Sequence, residues 1–159
     1  MPSKLQAYSQ MADQTAEQIT GSFQNWTAFL ETAARLYKYP YNEQLLIFAQ
    51  RPDATACAEY DLWNNRMRRY VRRDSKGIAL IDTSGMKPRL KYVFDVSDTG
   101  ARPNSRAVQL WAYRSEHEDA VSAILERSYD VTSDSDIEGQ VERVAAGEST
   151  KRRSSRTSC

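Results

Sequence analysis

Cysteine, histidine and glycine are all scarce in this 159-residue chain: two Cys, one His and six Gly, with five Pro. Cys57 and Cys159 lie far apart in sequence, which excludes a disulfide framework and fits a reducing compartment. With His117 as the sole histidine, no structural zinc site of the usual Cys/His kind can be assembled. No apolar run approaches the roughly 20 residues of a membrane span, and the N-terminus lacks the apolar core of a signal peptide. The expectation is a soluble, intracellular protein. Hydrophobic residues at 40 % and charged residues at 27 % are globular proportions, suited to one compact domain with or without a tail.

A formal net charge of +1 hides a strong segregation of charge. Residues 1–59 are mildly acidic. Residues 61–91 hold nine cations (Arg66, Arg68, Arg69, Arg72, Arg73, Lys76, Lys87, Arg89, Lys91) against Asp61, Asp74 and Asp82. Residues 116–142 hold nine acidic side chains against one basic, and the segment from Lys151 to Arg156 is basic again. Local charge therefore says more about partners than the total does.

Apolar periodicity predicts a helix over about 22–38, where Phe23, Trp26, Leu30, Ala33 and Tyr37 recur at spacings of three and four, with Ser22 as its cap. A second helix is expected at about 42–50 with Asn42 as cap, and a short third one at about 58–67. The period then changes to two. Tyr70–Arg73, Ile78–Asp82 and Arg89–Val96 read as strands of an antiparallel meander, in which Leu90, Tyr92, Phe94 and Val96 share one face and leave Arg89 and Lys91 on the other. Residues 97–107 read as a loop, and 108–113 as a short strand or packed segment. Capping boxes Ser115/Glu118 and Ser135/Glu138 open two C-terminal helices, to about Ser128 and to about residue 146. The expected class is α+β, with N-terminal helices on a small antiparallel sheet of three to four strands and two C-terminal helices. A flexible arm over 1–21, one domain over 22–147 and a disordered basic tail over 148–159 complete this reading.

Catalytic readings fit poorly. Cys57 sits in the small-residue run Ala54–Thr55–Ala56–Cys57–Ala58, which suits packing better than a nucleophile. His117–Glu118 opens like a zinc-protease helix, but Val121 stands where the second ligand belongs. A magnesium nuclease needs an acid two residues before the Lys of the strand after Asp82; here the segment is Arg89–Leu90–Lys91, and a base replaces the acid. Gly85 and Gly100 stand alone, without a phosphate loop. The expectation is a non-enzyme with no metal and no cofactor.

The basic segment carries the positive signal. Cations interleaved with rings suit a single-stranded nucleic acid, because cations neutralise phosphates and rings stack on bases. The candidate contact set is Arg68, Arg69, Arg72, Arg73, Lys76, Arg89 and Lys91, with Tyr70 and Trp63 as stacking rings. The plainer alternative is a solvated charged face, with Arg66, Arg69 and Arg73 paired to the acidic C-terminal helices, and with Tyr37, Trp63 and Tyr92 in the core. A further alternative is a protein-interaction module, or an inhibitor of a host defence enzyme, docking through the acidic helices of residues 116–142.

Residues Tyr39-Pro40-Tyr41-Asn42-Glu43-Gln44-Leu45-Leu46-Ile47, Gln50-Arg51-Pro52-Asp53-Ala54-Thr55, Trp63 and Val71-Arg72-Arg73-Asp74-Ser75-Lys76-Gly77-Ile78 together resemble a known family. They are similar to the N-terminal single-stranded-DNA-binding domain of ArdC-type antirestriction proteins, in the variant that opens large helicase–methylase proteins of bacterial conjugative elements. The resemblance covers about residues 22–115. It implies a helical half packed on a small antiparallel sheet, a bacterial cytoplasmic location, sequence-nonspecific binding of single-stranded DNA, and DNA contact by Arg72, Arg73 and Lys76. The family usually has Gly where this chain has Asp74. The metalloprotease, helicase and methylase regions of its larger relatives have no counterpart in this sequence.

Overall fold

A computed structural model describes residues 1–128. The helix expected over 135–146 and the tail over 148–159 lie outside the described residues. The chain divides into two compact units, Met1–Trp111 and Ala112–Cys159.

The first unit is α+β. Helix α1 (Lys4–Ile19) replaces the expected flexible arm. Its start is a capping box: Ser3 Oγ accepts from Gln6 N–H at 3.2 Å, and Gln6 Oε1 accepts from Ser3 N–H at 2.8 Å. Gln, Ala, Met and Glu, all good helix formers, fill the interior. A thin apolar stripe of Tyr8, Met11, Ala12, Ala16 and Ile19 packs inward.

Helix α2 (Phe23–Arg35) begins as expected, with Ser22 Oγ accepting from Asn25 N–H. Helix α3 (Tyr41–Gln50) is preceded by Pro40, whose fixed φ suits a helix start. Asn42, expected to cap it, lies inside its first turn. Phe29 of α2 meets Tyr41 and Phe48 of α3 edge-on, at centroid distances of 5.8 and 5.6 Å. The Gln44 carboxamide of α3 donates to Leu36 O and Ala33 O, covering the carbonyls at the C-terminus of α2.

The expected meander does not form. Strands β1 (Cys57–Glu59), β3 (Ile78–Asp82) and β4 (Arg89–Asp95) make one antiparallel sheet in the order β1-β4-β3. Strand β2 (Arg69–Val71) pairs instead with β5 (Thr99–Ala101) in a separate antiparallel ribbon. The short third helix expected over about 58–67 starts later, at Tyr60, and turns π-helical over Leu62–Arg66, because its first residues belong to strand β1. The expected loop after Ser97 contains β5, reached through a 3-10 turn at Val96–Asp98. No strand forms over residues 108–113.

The main core unites Leu36, Leu46, Ile47, Ala54, Ile78, Leu80 and Val93. Register places Val93 opposite Ile78, and Lys91 opposite Leu80, so these residues face the helices. Leu90, Tyr92 and Phe94 do share one face of β4, but it is the opposite one, and Tyr92 is 47 % exposed. The sheet's free edge is covered at its centre by one side chain: Gln50 Oε1 accepts from Ala79 N–H at 3.0 Å, and Gln50 Nε2 donates to Ala79 O at 2.8 Å. No described helix is long and apolar enough to cross a membrane.

Asp95, only 2 % exposed, joins the two halves of this unit. Oδ1 accepts from the N–H groups of Thr55 and Ala56 at 2.7 and 3.0 Å, while Oδ2 accepts from Ser97 N–H and Oγ at 3.0 and 2.6 Å. Burial pushes its carboxyl up, but the bonds from the Ser97 hydroxyl and the three backbone N–H groups outweigh burial and hold it below its usual range.

In the second unit, helix α4 (Glu116–Ser128) has the expected extent. His117 closes its N-terminus, its Nδ1 accepting from Arg114 N–H at 3.2 Å. Glu116, Glu118 and Asp119 crowd its first turn, where the helix dipole favours negative charge.

Replacing Asp95 with Ala leaves three buried N–H donors without an acceptor, and the expected loss is on the order of 3 kcal/mol, read as a lower urea midpoint. Because the folded Asp95 titrates below the unfolded value, its stabilisation is complete above about pH 4 and is lost as pH falls further. The urea midpoint of the wild type should therefore drop below pH 4 more steeply than that of Asp95→Asn.

Candidate nucleic-acid interface

The cations of residues 66–91 divide into two groups. One serves the scaffold. Lys91 Nζ lies 2.7 Å from Glu43 on α3, and Arg89 Nε lies 2.9 Å from Asp82 across the β3–β4 hairpin. Ser84 and Arg89 together hold the Asp82 carboxyl well below the usual range, with the Ser84 hydroxyl and N–H as the larger causes. Arg69 Nε donates to Thr99 Oγ1 at 2.8 Å within the ribbon. These three residues of the predicted contact set are therefore occupied, and the acids that take Lys91 and Arg89 come from α3 and β3.

Position separates Arg89 as well. Arg89 stands opposite Asp82, at the far end of the hairpin from Ile78. At about 3.4 Å per residue, that places it on the order of 14 Å from the end carrying the 72–77 turn.

Trp63 is also withdrawn from the predicted set. It is 2 % exposed, and its indole N–H donates to Phe94 O at 2.8 Å, so neither ring face can receive a base.

Of the remaining six cations, Lys87 lies in the β3–β4 connection and Arg66 ends the helical turn before β2, while four lie next to β2 or in the turn that follows it. Arg68, Arg72, Arg73 and Lys76 are exposed, and none makes an ion pair with a described residue. Their backbone is fixed by the fold. Arg72 N–H donates to Asp98 O at 2.8 Å, Ser75 Oγ donates to the same carbonyl at 3.2 Å, and Arg72 Nη1 donates to Ser97 O at 3.2 Å. Asp98 is itself held by Arg51, 2.6 Å from its carboxylate, and that contact raises the Arg51 pKa still further.

Tyr70 sits at the centre of β2, opposite Gly100, and is 45 % exposed. The phenol end of its ring lies against Gly100, where an added Cβ would overlap Cζ and the hydroxyl oxygen. Glycine is required here by close approach, and the tyrosine rests against the ribbon backbone while remaining half-exposed.

Several members of this region carry no sequence signal. Arg102 directly follows β5, as Arg68 directly precedes β2, so both flank the Arg69–Ala101 pair that ends the ribbon. The two arginines, with Asn64, Asn65, Pro103 and Asn104, line an open cleft of about 440 Å³. Arg68 has φ +53°, a conformation uncommon for a residue with a side chain. Tyr92 was expected in the core and is exposed instead; a Cβ on Gly77, beside Lys76, would lie 3.3 Å from Tyr92 Cβ and Phe94 Cζ.

Nucleophilic chemistry finds no support around Cys57. Burial, with the Asp95 carboxylate adding to it, pushes the thiol up to about 12, so it stays protonated at neutral pH. The residues behind the family resemblance serve largely as framework: Gln50 on β3, Pro52 as carbonyl acceptor for Thr32 and Arg35, and Trp63 in the core.

No family model, curated protein or solved structure matches the chain.

Gly100→Ala is expected to cost about 1–3 kcal/mol by driving the Tyr70 ring off the ribbon. Tyr70→Ala in the same chain should restore much of that loss, so a double-mutant cycle in urea should give a clear coupling energy. Additive losses would mean that the ring does not rest on the glycine.

Proposed function

We propose that this chain is a non-catalytic module that binds single-stranded nucleic acid, DNA in preference, without reading its sequence. The observation that carries the proposal is a set of exposed cations without an ion-pair partner among the described residues, Arg68, Arg72, Arg73, Lys76 and Arg102, on the same ribbon and following turn as the half-exposed Tyr70. A strand laid along the ribbon would place phosphates on the guanidinium and ammonium groups and a base on the phenol ring. A short two-stranded ribbon offers an exposed backbone path without the protruding helix suited to a duplex major groove. Asp74, exposed within the turn, lowers the local charge and favours modest affinity.

The resemblance to the ArdC-type domain supports the same reading, since Arg72, Arg73 and Lys76 belong both to the motif and to the exposed group. On that basis the module serves antirestriction or conjugation of a mobile element in the bacterial cytoplasm. Tyr92, on the outer face of the sheet beyond Lys76 and Gly77, extends the set of rings. The acidic first turn of α4 is accounted for by helix stability, so the partner-docking alternative gains nothing from it.

Neutralising about five phosphates gives a salt slope near −3.5, so raising salt fourfold should weaken poly-dT binding on the order of 100-fold. Filter binding reads this directly, and a flat salt response would end the proposal. Arg72→Glu with Arg73→Glu should abolish binding, whereas Arg89→Ala, at the distant end of the hairpin, should leave it within about twofold.

A further inference from the structure

We infer that the cleft between Arg68 and Arg102 is a pocket for a terminal phosphate, the phosphomonoester end of a single strand; this rests on the strand-binding reading above. Three observations meet at this place. Arg68 and Arg102 both line this cleft, just past the Arg69–Ala101 pair that ends the β2–β5 ribbon, and like charges brought together in one cleft repel unless an anion lies between them. No acidic side chain lines the cleft; the other polar residues there are the carboxamides of Asn64, Asn65 and Asn104. Asn64 Nδ2 donates to Asn65 Oδ1 at 3.3 Å, which leaves Asn65 Nδ2 as a donor. Finally, Arg68 holds a left-handed backbone conformation, and such strain persists where the surroundings impose it.

The cleft is also built in advance. Arg106 N–H donates to Met67 O at 3.0 Å, and Ser105 N–H donates to Arg102 O at 2.9 Å. These bonds fold the segment after β5 back towards the residue before Arg68, with Pro103 and Asn104 forming a wall.

The chemistry favours an end over an internal linkage. A phosphodiester has one charge and two free oxygens. A phosphomonoester carries close to two charges at neutral pH and presents three acceptor oxygens. Two guanidinium forks can each bind such a group through paired N–H donors, and the carboxamide nitrogen can take a remaining oxygen. The nucleotide behind that phosphate then leads onto the ribbon towards Tyr70, two residues from Arg68.

The test uses the full chain and fluorescence anisotropy with oligo-dT in four forms: 5′-phosphorylated, 3′-phosphorylated, hydroxyl at both ends, and covalently circular. One of the two phosphorylated forms should bind at least about tenfold tighter than the hydroxyl and circular forms, and which one does so identifies the end recognised. Arg102→Ala should remove that preference, so that within this variant the phosphorylated forms bind no tighter than its hydroxyl form. Asn65→Asp, which places an anion in the cleft, should remove it too, and circular dichroism checks that both variants fold. Equal affinity for all four forms overturns the terminal-phosphate pocket and leaves strand binding standing. Failure of every form to bind overturns both.

Discussion

One buried carboxylate organises the sheet half of this protein. Asp95 ends β4 and takes bonds from the chain on either side, so β1, β4 and the turn leading to β5 have a fixed mutual placement. The turn then supplies Asp98, whose carbonyl receives Arg72 N–H and whose carboxylate receives Arg51. A desolvated anion is tolerable because its acceptor capacity is filled by aligned donors. The proposed nucleic-acid surface therefore rests, two bonds removed, on a residue that never meets solvent.

The surface follows a division of labour among cations. Lys91, Arg89 and Arg69 have partners within the fold, and Arg51 and Arg35 tie the loop after α3 to its neighbours. Most of the cations left over lie in the segment from Arg66 to Lys76, around β2, with Lys87 apart in the β3–β4 connection. Charge density along the sequence does not distinguish these groups. Only tertiary pairing does, because Glu43 and Asp82 reach their partners through folding rather than through sequence proximity alone.

Much of the helical half was legible. The stripe of α2 and its Ser22 cap follow from spacing and side-chain chemistry, and the extent of α4 from the Ser115/Glu118 pattern that precedes its apolar residues. Helix α1 was written in the Ser3–Gln6 box and the Tyr8-to-Ile19 stripe, but its apolar residues are small and sparse, so the signal was faint. Strands β2, β3 and β4 were recognised, but β1 and β5 were not, and so most pairings were missed. Nothing local tells Tyr70 to seek Gly100 instead of the strand beginning at Ile78, since that choice depends on Asp95 and on the glycine's missing side chain. The inward face of β4 misled for a related reason: Lys91 and Asp95 look like solvent residues, yet each meets a partner inside. In the candidate interface, the cations of the 72–77 turn and Tyr70 were visible from sequence. Arg102 and the asparagines were not, because the loop that brings them together closes through backbone bonds, which leave no trace in residue types.

The Gln50 carboxamide has a consequence for behaviour in solution. By mimicking a peptide group against Ala79, it occupies the donor and acceptor at the middle of β3 that a neighbouring molecule would otherwise use to extend the sheet. Self-association by strand addition along that border is thereby discouraged, and a concentrated solution of the protein is protected there against growth into β-rich aggregates.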